Sequence, residues 1–405
     1  MTNLAGKVLV LAAMIAAGPA ATTIAADGPS ASCSSVLVAA HSCVADVSYP
    51  RSTPSTPAQY DRLFGMFSSL SYYTNNPGFG LSDSWERARI QAVGGNAQRW
   101  LISWRSVQPD GTQAPFLDLP LGTVSDNGPE THTIAVSDHR YLTLLAAGMV
   151  PVIGVYGVPR WARAVNAPGS EEVPDPQYWD AFIRALALRY PGAVLEGFNE
   201  PNLVAPGDPG RSVPAARMAA MQADMYREVK AVNPGQPVLG PSVTNAGNPG
   251  AWGLSRYANE LYADGMKGKI DGFSLHPYPG SSVRTAADLR NPANRFTTAF
   301  REVRDAMARA GDAVPLYATE LGVTTSGLSG VTPTAQRDII LAMHRSIQAM
   351  PDVRGEIYFA LRDRAGPEMR FYQFDYGLGW LRTNGTPKPV YCAFVAAAGS
   401  SYPGC

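Results

Sequence analysis

Two glutamates stand where side chains could do chemistry. Glu200 lies in Glu196-Gly197-Phe198-Asn199-Glu200-Pro201-Asn202, directly after the apolar run Ala193-Val194-Leu195. Proline has no N–H and biases the residue before it towards extended backbone, so this spacing predicts a carboxylate held at the end of a strand. Glu320 closes a second apolar run, Val314-Pro315-Leu316-Tyr317-Ala318-Thr319-Glu320. Two carboxyl groups facing one another can divide the work of breaking a glycosidic bond. One protonates the leaving oxygen, and the other attacks or stabilises the sugar C1.

Such a pair needs a scaffold that brings distant strand ends together. From Leu63 onwards, short β-prone runs alternate with segments of helical period. The runs are 63–67, 97–102, 150–156, 193–198, 237–242, 270–276, 314–320 and 355–361. Between them the pattern predicts helices at 83–93, 139–147, 176–189, 213–232, 251–264, 294–310 and 334–349, with a last one at 389–398. A long polar excursion, 108–138, separates the second run from its helix. Strands alternating with helices imply a parallel sheet with right-handed crossovers. Eight such units predict an α/β chain folded as a single (β/α)8 TIM barrel with eight parallel strands. An open doubly wound sheet is disfavoured, because no Gly-rich phosphate loop follows the first strand.

In a barrel the residues that end the strands gather at one mouth. They are Arg99 in the second strand, Trp161 after the third, Asn199 and Glu200 after the fourth, His276 and Tyr278 after the sixth, Glu320 after the seventh, and Arg362 and Asp363 after the eighth. Glu200 at the end of the fourth strand and Glu320 at the end of the seventh, three strands apart, would face each other across the mouth. Trp161 is the aromatic side chain best placed to stack on a sugar, ahead of Trp104 and Trp380, and Arg362 and Asp363 could pair at the rim.

The order Asn199-Glu200-Pro201, His276-Pro277-Tyr278 and Ala318-Thr319-Glu320-Leu321-Gly322 resembles the clan A glycoside hydrolases, with families 39 and 5 the nearest in pattern. The resemblance covers about Leu63 to Ala398 and extends to Gly385-Thr386-Pro387-Lys388-Pro389. It implies a retaining double displacement with Glu200 as general acid and then base, its pKa raised for that task, and Glu320 as the ionised nucleophile. It further implies that Asn199 holds the sugar 2-hydroxyl, that Arg99 sits beside Glu320 and holds its pKa down, and that His276 or Tyr278 bonds Glu320 or lines the sugar site. The chain departs from the family pattern near the eighth strand, where Tyr358-Phe359-Ala360-Leu361-Arg362-Asp363 has no Trp and Phe359 takes its place. The neighbouring Arg362-Asp363-Arg364 suits a decorated or acidic glycan.

The totals agree with an uncharged or weakly charged partner. Of 405 residues, 45% are hydrophobic and 16% charged, which supports a sizeable core, and Lys+Arg equals Asp+Glu at 33 each. No basic run is present to bind nucleic acid through its phosphates. With five His in the chain, no metal-binding cluster is evident, and no metal or other cofactor is expected. Lys7, the apolar run Val8–Ala17 and small residues up to Ala26 read as a signal peptide over 1–26, with export to the cell exterior or envelope and no membrane span after its removal. Residues 27–58 form an irregular segment, and residues 59–405 the catalytic domain, expected as a monomer acting on an oligo- or polysaccharide. Four cysteines, Cys33, Cys43, Cys392 and Cys405, suit disulfides in an exported chain. Three pairings are possible, of which Cys33 with Cys43 and Cys392 with Cys405 is the simplest. Two other readings stay open: a transglycosylase on the same scaffold, and a carbohydrate-binding barrel without catalysis.

Overall fold

The computed structural model describes residues 60, 62–68, 83–108, 111, 129–164, 172–203, 212–245, 253–364 and 373–405. The expected signal peptide, the 27–58 segment and the Cys33–Cys43 pair lie outside the described residues.

Among the described residues, nine parallel strands form one curled sheet of the TIM type. In chain order they are β1 (Leu63–Phe67), β2 (Ala97–Ser103), β3 (Val150–Tyr156), β4 (Val194–Phe198), β5 (Val238–Leu239), β6 (Val243–Thr244), β7 (Phe273–His276), β8 (Leu316–Leu321) and β9 (Val353–Tyr358). The spatial order is β5-β4-β3-β2-β1-β9-β8-β7-β6. The expected count of eight is therefore replaced by nine. The difference lies in the fifth run, which Gly240-Pro241-Ser242 breaks into β5 and β6. Pro241 offers no donor to a ladder, and the chain turns its hydrogen bonds to both sides there. Gly240 N donates to Gly272 O at 2.9 Å, and Ser242 N donates to Phe198 O at 3.2 Å. The two edges of the sheet are thus successive pieces of one stretch.

The helices are α1 (Asp83–Ala92), α2 (Trp104–Val107), α3 (Pro129–Ala146), α4 (Pro176–Arg189), α5 (Ala215–Val232), α6 (Leu254–Ala263), α7 (Arg295–Ala310), α8 (Pro333–Gln348) and α9 (Pro389–Ala397). Their ends follow local chemistry. Asp175 and Thr332 accept from Gln177 N and Ala335 N, each ahead of a proline in the first turn. Asn294 caps α7, and Gly311 ends it at φ 65°. The α7 residues Phe296, Ala299, Phe300, Val303, Ala306 and Met307 form one buried face of helical spacing.

Helix α3 begins ten residues earlier than its sequence pattern indicates. Its first turns, Pro129-Glu130-Thr131-His132-Thr133, carry no apolar period and read as part of the polar excursion. Further along the helix, a buried ion pair ties Asp138 to α4. Arg189 at the end of α4 donates to both oxygens of Asp138, through Nε at 2.8 Å, and the Tyr190 hydroxyl adds a bond at 2.9 Å. Near the C-terminus, Cys392 and Cys405 are joined in a disulfide.

Most of the core lies between the sheet and the helices, with Trp100, Ile102, Trp179 and Phe182 among its sealed residues. A smaller cluster (Leu63, Ala97, Val150, Val152, Val194, Leu239, Tyr317 and Ile357) draws on seven strands and fills the inside of the curl. Gly65 shows how tightly the strands close. A Cβ at that position would lie 2.1 Å from the Ala97 carbonyl oxygen of β2. No side-chain rotation relieves a backbone clash, so Gly65→Ala is expected to cost at least about 1–3 kcal/mol. Urea unfolding monitored by circular dichroism reads this as a lower midpoint, and an unchanged midpoint would contradict the packing.

Candidate active site

The site is built on Arg99. The β2 residues Ala97, Arg99 and Leu101 share one face of an alternating strand, and that face turns into the curl. The Arg99 side chain is fully sealed there. A buried cation needs partners, and the structure supplies three. Nε and Nη2 donate to Glu196 Oε2 at 2.8 and 2.5 Å, Nη1 donates to Glu320 Oε1 at 2.6 Å, and Nη2 also reaches Asn199 Oδ1 at 2.9 Å. Burial alone would lower its pKa, but the charges of Glu196 and Glu320 and their hydrogen bonds outweigh burial and raise it. The guanidinium stays cationic.

Two strand irregularities aim the acidic residues. Glu196 and Asn199 are three apart, a spacing that puts residues of a regular strand on opposite faces. The pairing of β3 with β4 shifts between Gly154 and Val155, so that Val155 opposes Phe198, and both residues reach Arg99. A second shift between Ala318 and Leu321 lets the neighbours Thr319 and Glu320 both face the site. Thr319 Oγ1 lies 2.6 Å from Ser274 Oγ, which donates to Glu196 Oε1 at 2.5 Å. Gly154 on β3 leaves room for the pair, because a Cβ there would lie 2.9 Å from Glu196 Oε2.

Glu200 is held differently. Its φ is +48°, in the left-handed region, and not the extended backbone that Pro201 predicts. Backbone bonds on both sides override that local preference. Asn199 N donates to Val155 O at 2.8 Å, and Glu200 N donates to Ser242 O at 2.9 Å. Asn202, which closes the motif, exchanges two 2.8 Å bonds with the backbone of Thr244 and docks β6 beside it.

The two carboxylates meet at His276. Its Nδ1 lies 2.9 Å from Glu200 Oε1 and 3.6 Å from Glu320 Oε2. The Tyr278 hydroxyl donates to Glu320 Oε2 at 3.0 Å, and Asn245 pins the Tyr278 carbonyl at 2.9 Å. His276 Nε2 is buried and has no partner among the described residues. A proton on Nε2 would be unpaired, so the proton the ring can place against Glu200 is the one on Nδ1. Side-chain exposure is 19% for Glu200, 9% for Glu320 and zero for His276 and Arg99. The carboxylates are the members of this group that an incoming molecule can touch. One donor atom from each of Glu200, His276 and Glu320 lies within 4.8 Å of the others, a set that could also ligate a metal ion.

Burial pushes the Glu200 carboxyl up. The His276 hydrogen bond and charge, the Thr244 hydroxyl and the Arg99 cation together outweigh it and hold the carboxyl below its ordinary value. This reverses the raised value expected of a waiting acid, because the ring beside Glu200 offers it a proton. His276→Phe keeps a ring but removes that donor, leaving burial opposed only by Thr244 and Arg99. Glu200 is then expected to titrate at higher pH than in the unchanged chain. Carbon-13 NMR of glutamate-labelled protein, assigned with Glu200→Gln, checks this. A titration that stays put or moves down would contradict the assignment.

Of the residues singled out by sequence, Arg99, Asn199, Glu200, His276, Tyr278 and Glu320 come together. Trp161 sits elsewhere in its contacts. Its indole N–H donates to Gln108 O at 3.0 Å, and its ring meets Trp104 and Tyr178 edge-on. Trp104 and Trp380 are sealed in the core and have no free face. Asp363 pairs with Lys388 at 2.7 Å, while Arg362 donates to Thr383 O. Phe359 packs on Phe67 at a centroid distance of 4.7 Å, and an exposed Phe374 meets Tyr278 edge-on. The sequence reading gave no role to Glu196, Ser274, Thr319 or Thr244. For Glu196 a signal existed: a lone carboxylate in the apolar run Val194-Leu195-Glu196-Gly197-Phe198 must be paired if the strand is buried. The hydroxyls carried none.

No protein-family model and no curated relative matches the sequence. Solved structures share the fold. One is a family 39 glycoside hydrolase from the gut symbiont Bacteroides cellulosilyticus WH2, at 16% identity and a TM-score of 0.57. That match covers 84% of this chain but only 64% of the other, so this chain spans less than two thirds of its length. Another is a GH5_18 protein from Bifidobacterium longum subsp. longum ATCC 55813, in complex with Manb1-4GlcNAc, at 13% identity and a TM-score of 0.60, covering 84% and 78% of the two chains. A monomeric beta-xylosidase from Caulobacter crescentus CB15 matches at 19% identity and a TM-score of 0.52, covering 84% and 68%. The chain thus shares its fold with glycoside hydrolases of family 39 and GH5_18, and its motifs resemble families 39 and 5.

Proposed function

We propose that this chain is a retaining glycoside hydrolase, with Glu320 as nucleophile and Glu200 as general acid and base. One observation carries the reading. Oxygens of two partly accessible carboxylates, at the ends of β4 and β8, lie within 4.8 Å of each other. Retaining enzymes hold their carboxyl groups roughly 5–5.5 Å apart, whereas inverting ones leave roughly 6.5–9.5 Å for a water. The partners suit the division of labour. Glu320 accepts from Arg99 and Tyr278, which orient a carboxylate and keep one oxygen turned to Tyr278 and the mouth. Glu200 is the more exposed of the two carboxyls and can exchange a proton with the mouth, while the ring N–H of His276 holds one of its oxygens in place. The likeness of fold to glycoside hydrolases supports the same reading.

In the first step a Glu320 oxygen bonds to the sugar C1 as the glycosidic C–O bond breaks, and the Glu200 proton passes to the departing oxygen. In the second, Glu200 takes a proton from water as that water's oxygen bonds to C1, and the C1–Glu320 bond breaks. Asn199, held by Arg99, is the residue placed to meet the sugar 2-hydroxyl. The proposed setting is outside the cytoplasm, reading 1–26 as a leader from its charge and apolar run, and the proposed substrate is a cell-wall or plant glycan.

The test is hydrolysis of a panel of aryl β-glycosides and polysaccharides, with the product anomer read by NMR. Glu200→Gln is expected to lower kcat about 10²–10⁴-fold, less for a dinitrophenyl leaving group that needs no acid. Glu320→Gln is expected to abolish turnover for every leaving group. Turnover that survives in Glu320→Gln, or a product of inverted configuration, would overturn the reading. Loss of activity on chelation would assign the Glu200–His276–Glu320 group to a metal instead.

A further inference from the structure

We propose that two exposed rings, Tyr156 and Phe374, contact sugar units on opposite sides of the carboxylate pair, so that the mouth takes an extended glycan chain; this rests on reading Glu200 and Glu320 as the reacting pair. Five large apolar side chains are exposed among the described residues: Leu142, Tyr156, Tyr178, Leu328 and Phe374. Leu142 and Leu328 are aliphatic, and Tyr178 is engaged with Trp161. The two remaining rings stand at the site. A sugar carries C–H groups on its faces and hydroxyls around its edge. A flat ring therefore covers a face while the hydroxyls stay free to bond elsewhere.

The sequence of β3 aims Tyr156. β2 and β3 pair without a break from Ala97 and Val150 to Ser103 and Tyr156. Alternation then puts Tyr156 on the face of Val152 and Gly154, which looks into the curl. Its neighbour Val155 accepts from Asn199 N at 2.8 Å, so the ring stands beside the strand end that carries Glu200. Gly157, at φ 74°, turns the chain away directly afterwards, and its carbonyl accepts from Arg105 N at 2.7 Å. The side chain of Tyr156 is inward-facing and yet 38% exposed, with no partner for its ring or its hydroxyl among the described residues.

Phe374 lies on the short 3-10 turn Gln373–Gly377. Its ring meets Tyr278 edge-on at 5.7 Å, and the Tyr278 hydroxyl bonds Glu320. The turn is anchored at Gly377, whose carbonyl accepts from Thr325 N at 3.0 Å, Gln336 Nε2 at 3.1 Å and Lys388 Nζ at 3.1 Å. Lys388 is buried and paired with Asp363. In the sheet, β2, β1 and β9 lie between β3 and β8. The curl therefore sets the two rings across the mouth, one next to Glu200 and the other next to Glu320 through Tyr278.

The test is isothermal titration calorimetry of Glu320→Gln with the β-linked hexasaccharides of glucose, xylose and mannose, and with the corresponding disaccharides. In that background Tyr156→Ala and Phe374→Ala are each expected to weaken hexasaccharide binding about tenfold, the size of one lost ring contact. Tyr156→Phe keeps the ring and should bind within about twofold of the background. A disaccharide is too short for both rings and should register the loss of at most one. An unchanged hexasaccharide affinity in either alanine variant, equal losses on the disaccharide, or no binding of any hexasaccharide would overturn the proposal. Both rings are exposed, so urea midpoints should stay in place. A midpoint that falls together with the affinity would make the ring a structural one and overturn its role as a contact. A chain that shows these losses but hydrolyses no glycoside would refute the reaction and keep the contacts. Hydrolysis with unmoved affinities would keep the reaction and remove them.

Discussion

A guanidinium sealed inside the curl of the sheet is the constraint on which this site depends. Taking Arg99 out of water costs several kcal/mol unless charged partners surround it, and leaving such a buried pair broken costs about 3–5 kcal/mol. That requirement accounts for features that look unrelated along the chain. Glu196 interrupts an apolar strand, Gly154 has no side chain, and Ser274 and Thr319 put hydroxyls where interior positions are otherwise apolar. Each supplies charge, room or a donor to the same cluster. Glu320 is the one member of the pairing that also reaches the mouth.

Regular strands could not have assembled this group. Alternation sends neighbouring residues to opposite faces, yet Thr319 and Glu320 both point into the site, as do Glu196 and Asn199. Register shifts in the β3–β4 and β8–β9 pairings provide the extra residue that each case needs. Glu200 shows the same principle on a single residue. Its left-handed backbone conflicts with the proline after it and is held by hydrogen bonds from β3 and from the break between β5 and β6. Local preference gives way here at the positions that meet the outside.

The likeness to glycoside hydrolases of families 39 and 5_18 establishes a fold, and this fold hosts many chemistries. The proposed glycoside chemistry rests instead on the chain's own cluster: two carboxylates at close range, each with different supporting groups. The aromatic surroundings are distinctive. Phe67 and Phe359 form a packed pair near the mouth, and Phe374 stands exposed beside Tyr278, whereas the tryptophans Trp104, Trp161 and Trp380 are engaged with other side chains or the core.

The sequence by itself determined the architecture and the principal acids. Apolar runs of strand length alternating with helical periods place the elements, since burial of one helix face and of a whole parallel strand leaves a direct trace in composition. Asn199-Glu200-Pro201 and Thr319-Glu320 were legible because each polar group follows an apolar run. The pairing of Cys392 with Cys405 was legible as the simplest local choice. The tertiary structure alone decided the rest. The fifth strand is broken because its hydrogen bonds divide between two neighbours, which no local pattern records. The early start of α3 leaves no apolar trace in its first turns, and the contact of Asp138 with Arg189 joins two helices far apart in the chain. Glu196, Ser274 and Thr319 join the site only because distant strands converge on one cation, and Glu200 lies below its ordinary pKa because His276 arrives from three strands away in the chain. Contacts of this kind are fixed by three-dimensional proximity, and spacing along the chain does not encode them.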